Sequence, residues 1–467
     1  METMSRECLL FPTYAKRNPS DTSQWIVYVK GWALSHNSSA TKQKMMMSLT
    51  KSVAGKFSTD TNASHMFEQR FKYFLANNKR HKPFHIQAIG TISLEAYQSE
   101  QQSQLEQAMM NLLMDSINSQ LDSLEDPTSC SGIHLITEGS GFLSGQFFVP
   151  HDTILNWADN PRLVRVQSVS TDTHHKFMPN YGIVNLIEQK GVSIISDIDD
   201  TIKDTRILSG ARTVLSKTFF EAPQDVSGMA DVYMTWYTQG ASFHYVSNSP
   251  FQLMPMLDKF LKDARFPPGS MHLRDDGKLI SRLVETPGQA KRDAILKILH
   301  DFPQRRFILV GDSGEIDLEI YSRIAVEYPD QIIKIYIRDI TTPSLMPTLF
   351  HSKSRSTPLM DIRKLKSPLS IRRATTEPTL THHQKDMAAL EASAQLHHRI
   401  KKARLQVSNI DIELFQDAQV LARLDIKEAL WDSIEEVVTP SPEKDAFYSP
   451  SCLYDTSILS SSPTNLY

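Results

Sequence analysis

The run Ser196-Asp197-Ile198-Asp199-Asp200-Thr201 follows directly on four apolar or small residues, Val192-Ser193-Ile194-Ile195. In an extended segment alternate side chains share a side, so Asp197 and Asp199 face the same way with one residue between them. Two carboxylates so placed can divide labour, one attacking and one handling protons. Alone, such a pair reads better as a solvated acidic turn. It is not alone. Phe243-His244-Tyr245-Val246 ends in Ser247-Asn248-Ser249-Pro250, and Phe307-Ile308-Leu309-Val310 ends in Gly311-Asp312-Ser313-Gly314-Glu315-Ile316-Asp317. Lys291 stands near the start of a predicted helix, after Pro287-Gly288. Carboxylates, hydroxyls and one cation in this order suit phosphoryl transfer, where an anionic ester must be neutralised before an anionic nucleophile can reach it. Mg²⁺ prefers hard oxygen ligands, and Asp197, a backbone oxygen of Asp199, and Asp312 could supply them. Ser247 and Lys291 could hold the remaining phosphate oxygens. Each has a plainer alternative: Ser247 as a helix cap (a role that suits Ser249 better), Lys291-Arg292 as a solvated pair, Asp200 as a residue that orders its loop.

These groups need a scaffold that brings strand ends together. Short apolar strands are predicted at 192–196, 243–247, 307–310 and 332–337, with helices at 250–263, 289–300 and 316–328 between them. Strand–helix alternation predicts an α/β domain over 186–345, a mostly parallel sheet covered by helices. Functional groups then collect beyond the carboxyl ends of the strands. Upstream, near period-two alternation predicts strands at 25–32, 84–92, 141–149 and 163–169, and helical spacing at 98–124. Residues 21–185 are therefore read as a β-rich domain with a helical insertion, behind a flexible leader at 1–20. Aromatic and methionine positions such as Phe219, Met229 and Trp236 suit a helix core, or a lid over an acyl chain.

The chain has 467 residues, 40% hydrophobic, with 50 basic and 53 acidic side chains. A formal charge of −3 argues against a global pull on nucleic acid. The three cysteines, Cys8, Cys130 and Cys452, form no CxxC pair, which argues against a zinc ribbon or a disulfide framework. No apolar run reaches the ~18 residues of a spanning helix, and no signal peptide is visible. The expectation is a soluble, intracellular, multidomain protein. Residues 351–467 lack glycine and divide into a basic block, twelve Lys/Arg against four Asp/Glu over 351–405, and an acidic one, three against ten over 406–447. That composition reads as a disordered or partly helical tail over 346–467, with helical apolar spacing at 410–438. It carries no identifiable catalytic group, so a chain ending near Thr342 is expected to keep its rate.

The motifs SDIDDTIKDT, FHYVSNSPFQLMP, FPPGSMHLR and FILVGDSGEIDLEIY, in this order, resemble the haloacid dehalogenase-like phosphatases. More narrowly they resemble the fungal actin-patch phosphatidate phosphatase family. The resemblance implies a haloacid dehalogenase-like Rossmannoid sheet and Mg²⁺-dependent hydrolysis of phosphatidate to diacylglycerol and phosphate. It further implies Asp197 as nucleophile through an aspartyl-phosphate, Asp199 as acid/base and Lys291 as neutralising cation. Ser247, Thr201 and Asn248 are then phosphate-side residues, and Asp197, Asp199 and Asp312 the metal shell, with Asp317 in support. It also implies a cytoplasmic, peripherally membrane-associated protein at cortical actin patches, with endocytic partners through the tail. The alternatives are a phosphatase for a soluble or protein phosphomonoester, or a membrane-traffic or actin adaptor with secondary enzyme activity.

Overall fold

The computed structural model describes residues 6–36, 61–99, 132–172, 174, 177–275, 288–342, 382–407 and 409–429. Its second half is built on six strands, all parallel, in the order Ser270–Arg274, Ser242–Pro250, Gly191–Ser196, Arg305–Asp312, Ile332–Arg338, Asp411–Phe415. The four predicted strands are all present, and the helices Met254–Asp263, Gln289–Asp301 and Asp317–Glu327 fall where the apolar spacing put them. Near-continuous apolar strands such as Val192-Ser193-Ile194-Ile195 are what a sheet buried on both faces requires. One face packs on Phe219, Met229, Tyr233 and Trp236, the other on Ile295, Leu299, Tyr321 and Ile324. Phe219, Met229 and Trp236 are thus core residues. The chain runs outward from Gly191–Ser196 to one edge, then returns to lay Arg305–Asp312 on its other side. The order of strands reverses beside Gly191–Ser196, and a crevice opens there at the carboxyl ends.

The first half forms a nine-stranded, mainly antiparallel sheet. Its backbone is the long strand Asp21–Ser35, which pairs with Arg6–Leu10, Thr13–Asn18 and Phe142–Pro150. The expected leader at 1–20 is corrected here. Arg6–Leu10 and Thr13–Asn18 are strands, and Cys8, Leu10, Phe11, Tyr14 and Ala15 are buried. Two five- or six-residue strands split by Pro12 are too short to show a clear period beside their polar neighbours. The helix Thr61–Leu75 and the edge strand Ser270–Arg274 were not anticipated. The expected insertion at 98–124 lies almost wholly outside the described residues.

Over 382–429 the expected tail is partly helical as anticipated, but it is packed on the sheet instead of solvated. The helix His382–Gln406 packs along Asp317–Glu327, burying Leu396, Ile400 and Ala403. Asp411–Phe415 follows as the sixth strand, and Leu421 and Ile426 close on the opposite face, where Trp236 Nε1 donates to the Leu424 carbonyl at 3.2 Å. The segment wraps an edge that would otherwise present the unpaired backbone of Ile332–Arg338 to solvent. Against the helical spacing expected across 410–438, Asp411-Ile412-Glu413-Leu414-Phe415 alternates with period two and pairs as a strand. The basic cluster Arg363-Lys364-Leu365-Lys366 and the Ser-Pro sites at 367, 441, 449 and 462 lie outside the described residues.

Candidate active site

Three strand ends meet at the crevice. Asp197 leaves Gly191–Ser196 with its amide donating to the Val310 carbonyl at 2.9 Å, so the first acidic loop is tied to the neighbouring strand before it turns. The turn is closed by Asp200. Its backbone lies in the left-handed region, φ 56°, and its carboxylate accepts the amides of Thr205, Arg206 and Ile207 at 2.8, 2.6 and 2.6 Å. Asp200 is therefore a loop-ordering residue, and Arg338 clamps its carbonyl at 2.5 Å.

Asp197 and Asp199 are neighbours in different company. Lys291 Nζ donates to Asp197 Oδ1 at 2.8 Å and to Asp317 Oδ1, and Thr201 Oγ1 donates to Asp197 Oδ2 at 3.1 Å. Lys291 is 2% exposed, which excludes the solvated alternative. Asp199 instead receives Lys203 at 3.3 Å, Thr205 at 2.7 Å, Ser247 at 3.2 Å and Ser249 at 2.8 Å. Neither serine caps a helix, since the turn Phe251–Leu253 begins without a side-chain cap. Asn248 reaches across to Glu315 Oε2 at 2.8 Å. On the third strand end, Asp312 Oδ1 accepts the amides of Gly314 and Glu315 at 2.7 and 3.0 Å. Gly311 has to be glycine, because a methyl group there would overlap the Asp317 carboxylate.

The charges are unbalanced. Asp197, Asp199, Asp312, Glu315 and Asp317 share this edge with Lys203 and Lys291. Burial pushes the Asp197 carboxyl well above the usual range despite the pull of Lys291, and Asp317, Glu315 and Asp312 push the same way. Burial, then the Asp317 charge, pushes Asp312 up to about 8. Burial works against ionising Asp199 too, but Lys203 and the hydrogen bonds from Thr205 and Ser249 hold it below its ordinary value. Burial also opposes the Lys291 charge, yet Asp197 and Asp317 hold its ammonium well above the ordinary lysine value.

Asp197, Asp312 and Asp317 bring carboxylate oxygens within 4.8 Å of one another. Asp312 Oδ2 is buried and has no hydrogen-bond partner. An oxygen-only donor set with one orphaned carboxylate oxygen fits a hard divalent cation. The group joins Asp317, expected in support, to Asp197 and Asp312; of Asp199 the expectation was a backbone oxygen, and its carboxylate is taken up by Lys203, Thr205 and the two serines. Thr205 and Ser249 were missed as well. Nothing in their spacing marks them, because the left-handed turn at Asp200 brings Thr205 round.

Residues 192–339 match the family described as the phosphatidate phosphatase APP1 catalytic domain. The chain is 40% identical over 160 residues to the phosphatidate phosphatase APP1 of Saccharomyces cerevisiae, covering 33% of this chain and 27% of that one. An uncharacterized protein of Schizosaccharomyces pombe is 34% identical over 212 residues, 44% of this chain and 34% of that protein. The matches thus span about a third or less of the curated relatives' length. A Photobacterium 2,6-sialyltransferase structure aligns with a TM-score of 0.20 and 9% identity, over 63% of this chain and 48% of that one, too slight a likeness to bear on the fold. The APP1 match takes in all three strand ends that build the site, and stops short of residues 382–429.

Proposed function

We propose that this chain is a Mg²⁺-dependent phosphatidate phosphatase with a haloacid dehalogenase-like catalytic sheet, working through an aspartyl-phosphate. The observation that carries the reading is a buried Asp197 held by Lys291 and Thr201 beside Asp312, whose second oxygen is free, within a domain that matches the APP1 family. Phosphatidate as substrate comes from the name of the S. cerevisiae relative. Asp197, Asp312 and Asp317 would hold the metal, which when bound neutralises phosphoryl oxygens.

The chain's own residues divide the remaining work. The Asp197 oxygen attacks phosphorus, and the bond from phosphorus to the glycerol oxygen breaks. Asp199 gives that oxygen a proton, and diacylglycerol leaves. Asp199 then takes a proton from water as the water attacks the acyl phosphate, which returns Asp197 and frees phosphate. In the free protein Lys203, Thr205 and Ser249 favour the ionised form of Asp199. An incoming phosphate dianion raises its proton affinity by like-charge repulsion, so the acid form is made when substrate binds. Ser247 and Asn248 stand at the second strand end, where their donors can turn to phosphate oxygens.

Among the described residues no helix is long and apolar enough to cross a membrane, which is compatible with a peripheral enzyme meeting lipid at a surface. Recruitment to cortical actin patches is part of the proposal and rests on the family resemblance. The test is phosphate release from phosphatidate in mixed micelles, with Mg²⁺ and after chelation, beside a panel of soluble phosphomonoesters. Release from phosphatidate that stops with EDTA and returns with Mg²⁺ is expected. Full activity after exhaustive chelation sinks the metal reading. Turnover confined to soluble esters moves the substrate class to the first alternative, and no turnover of any ester leaves the adaptor.

A further inference from the structure

The acidic loop Asp312–Asp317 is gripped from outside the APP1-like region. Arg399, on the helix His382–Gln406, donates through Nη1 to the Ser313 carbonyl at 2.7 Å and through Nη2 to the Glu315 carbonyl at 2.8 Å. The same guanidinium pairs in a fork with Glu319, Nε to Oε1 and Nη2 to Oε2, both at 2.8 Å. One side chain therefore ties two carbonyls of the loop to the first turn of the helix that carries Asp317. The two amides that orient Asp312 belong to Gly314 and Glu315, within the span Arg399 holds. Other restraints on the loop are the Ser313 amide on the Arg338 carbonyl at 2.9 Å, the Ile340 amide on Ser313 Oγ at 3.0 Å and Asn248 on the Glu315 carboxylate at 2.8 Å.

Building on the proposed metal-dependent reading, we infer that Arg399 is a positioning residue for the metal site, fixing the loop so that the free oxygen of Asp312 faces Asp197 and Asp317. The chemistry suits arginine. A planar fork can serve two carbonyls and a carboxylate together, whereas a lysine ammonium has three donors but no fixed plane. Groups that orient a metal ligand typically set affinity by ten- to a hundredfold without touching the ion.

The experiment uses the full chain and compares Arg399→Ala, Arg399→Gln, Arg399→Lys and Glu319→Gln. Mg²⁺ alone is titrated by calorimetry without substrate, and the Mg²⁺ dependence of phosphate release is measured in parallel. Arg399→Ala and Arg399→Gln should weaken Mg²⁺ binding at least about tenfold, with the rate largely recovered at saturating Mg²⁺. Arg399→Lys should fall between them and wild type. Glu319→Gln keeps both carbonyl contacts and should lie within about twofold of wild type, as expected for a partly exposed ion pair. Folded Arg399→Ala with unchanged Mg²⁺ affinity overturns the inference, as does a fall in rate that saturating Mg²⁺ does not restore. Failure of both Arg399→Ala and Arg399→Gln to fold also overturns it, since the residue would then serve the fold and not the loop. A wild type that binds Mg²⁺ yet hydrolyses nothing defeats the proposed function alone, and calorimetry still decides on Arg399. A wild type that binds no Mg²⁺ defeats the inference.

Discussion

Two clusters of polar side chains, one buried and one partly buried, flank the helix Gln289–Asp301, and they are built on opposite plans. At its N-terminal end lies the crevice of Asp197, Asp312, Asp317 and Lys291. At its C-terminal end, Asp301 accepts Tyr14 at 2.5 Å, Tyr28 at 3.4 Å and the Lys16 ammonium, which joins the first sheet to the second. Beside this junction His244, Ser270 and His272 form a chain of hydrogen bonds at 2.7 and 2.9 Å. Burial, then the nearby His272 and Arg305, holds His244 well below its ordinary value, so it is buried neutral. The junction thus matches one carboxylate with one ammonium and keeps its histidine uncharged. The crevice leaves carboxylates in excess and one oxygen without a donor. Burial answers such a surplus by raising the proton affinity of some carboxyls, as it does for Asp197 and Asp312. Each cluster keeps one buried polar atom without a partner, Asp312 Oδ2 in the crevice and His244 Nε2 beside the junction, so the contrast lies in the surplus of carboxylates.

The largest effect expected breaks both clusters together. A chain ending at Thr342 removes Leu396, Ile400, Ile412, Phe415, Leu421 and Ile426 from the two faces of the sheet. At ~1.5–3 kcal/mol for each buried side chain, the loss rivals the ~5–15 kcal/mol of a typical domain. Cooperative thermal unfolding should disappear and phosphate release with it, the reverse of what composition alone suggested for this region. A truncated protein that melts cooperatively and turns over at the full-length rate would show that the sixth strand is ornamental.

Next comes the crevice alone. Asp197→Asn and Asp199→Asn should each lose at least about a thousandfold in rate, ~4 kcal/mol of barrier, with the circular dichroism spectrum unchanged. Retention of a tenth of wild-type turnover by either would remove that residue from its assigned role.

At the junction the effects should fall on stability and leave turnover alone. In the unfolded chain the imidazole of His244 binds a proton below pH ~6.5, whereas in the folded protein it stays neutral far lower. The unfolded state then holds more protons, so stability is full above ~6.5 and falls as the pH drops, by ~1.4 kcal/mol for each unit until the folded group titrates. Thermal melts at pH 7.5 and 5.5 should show this loss, and His244→Asn should reduce it. An unchanged acid limb in that variant would assign the sensitivity to other groups. Smallest of all, Tyr14→Phe deletes one of three hydrogen bonds to Asp301 and should cost ~1 kcal/mol, a few degrees in Tm, at unaltered turnover. Loss of turnover in this variant would mean that the two clusters communicate along the helix.

How far the sequence announces each cluster follows from how local its signals are. Asp197, Asp199 and Asp312 stand at the ends of apolar runs, so strand, crevice and carboxylate are read in one step. Lys291 is legible through its place after Pro287-Gly288. Lys203 and Thr205 are brought to Asp199 by the left-handed turn at Asp200, and turns of that kind leave little trace in residue type. The junction was invisible, since Tyr14 and Asp301 are 287 residues apart and neither belongs to a motif. The five residues Asp411–Phe415 do alternate as a strand should, but they lie in an acidic stretch whose composition resembles solvated chain. Pairing with Ile332–Arg338 outweighs that bias, and the arginine that grips the acidic loop arrives with the same segment.

The position of the sixth strand also has a consequence in time. Its partner Ile332–Arg338 leaves the ribosome about seventy residues earlier, which at ~5–20 residues per second is an interval of roughly 4–15 s. Throughout that interval the nascent sheet carries an open, apolar edge, and Asp312 sits in a loop that Arg399 has not yet reached. The motif-bearing strands emerge before their cover, and residues 382–429 then seal the edge against aggregation and bring Arg399 to the acidic loop.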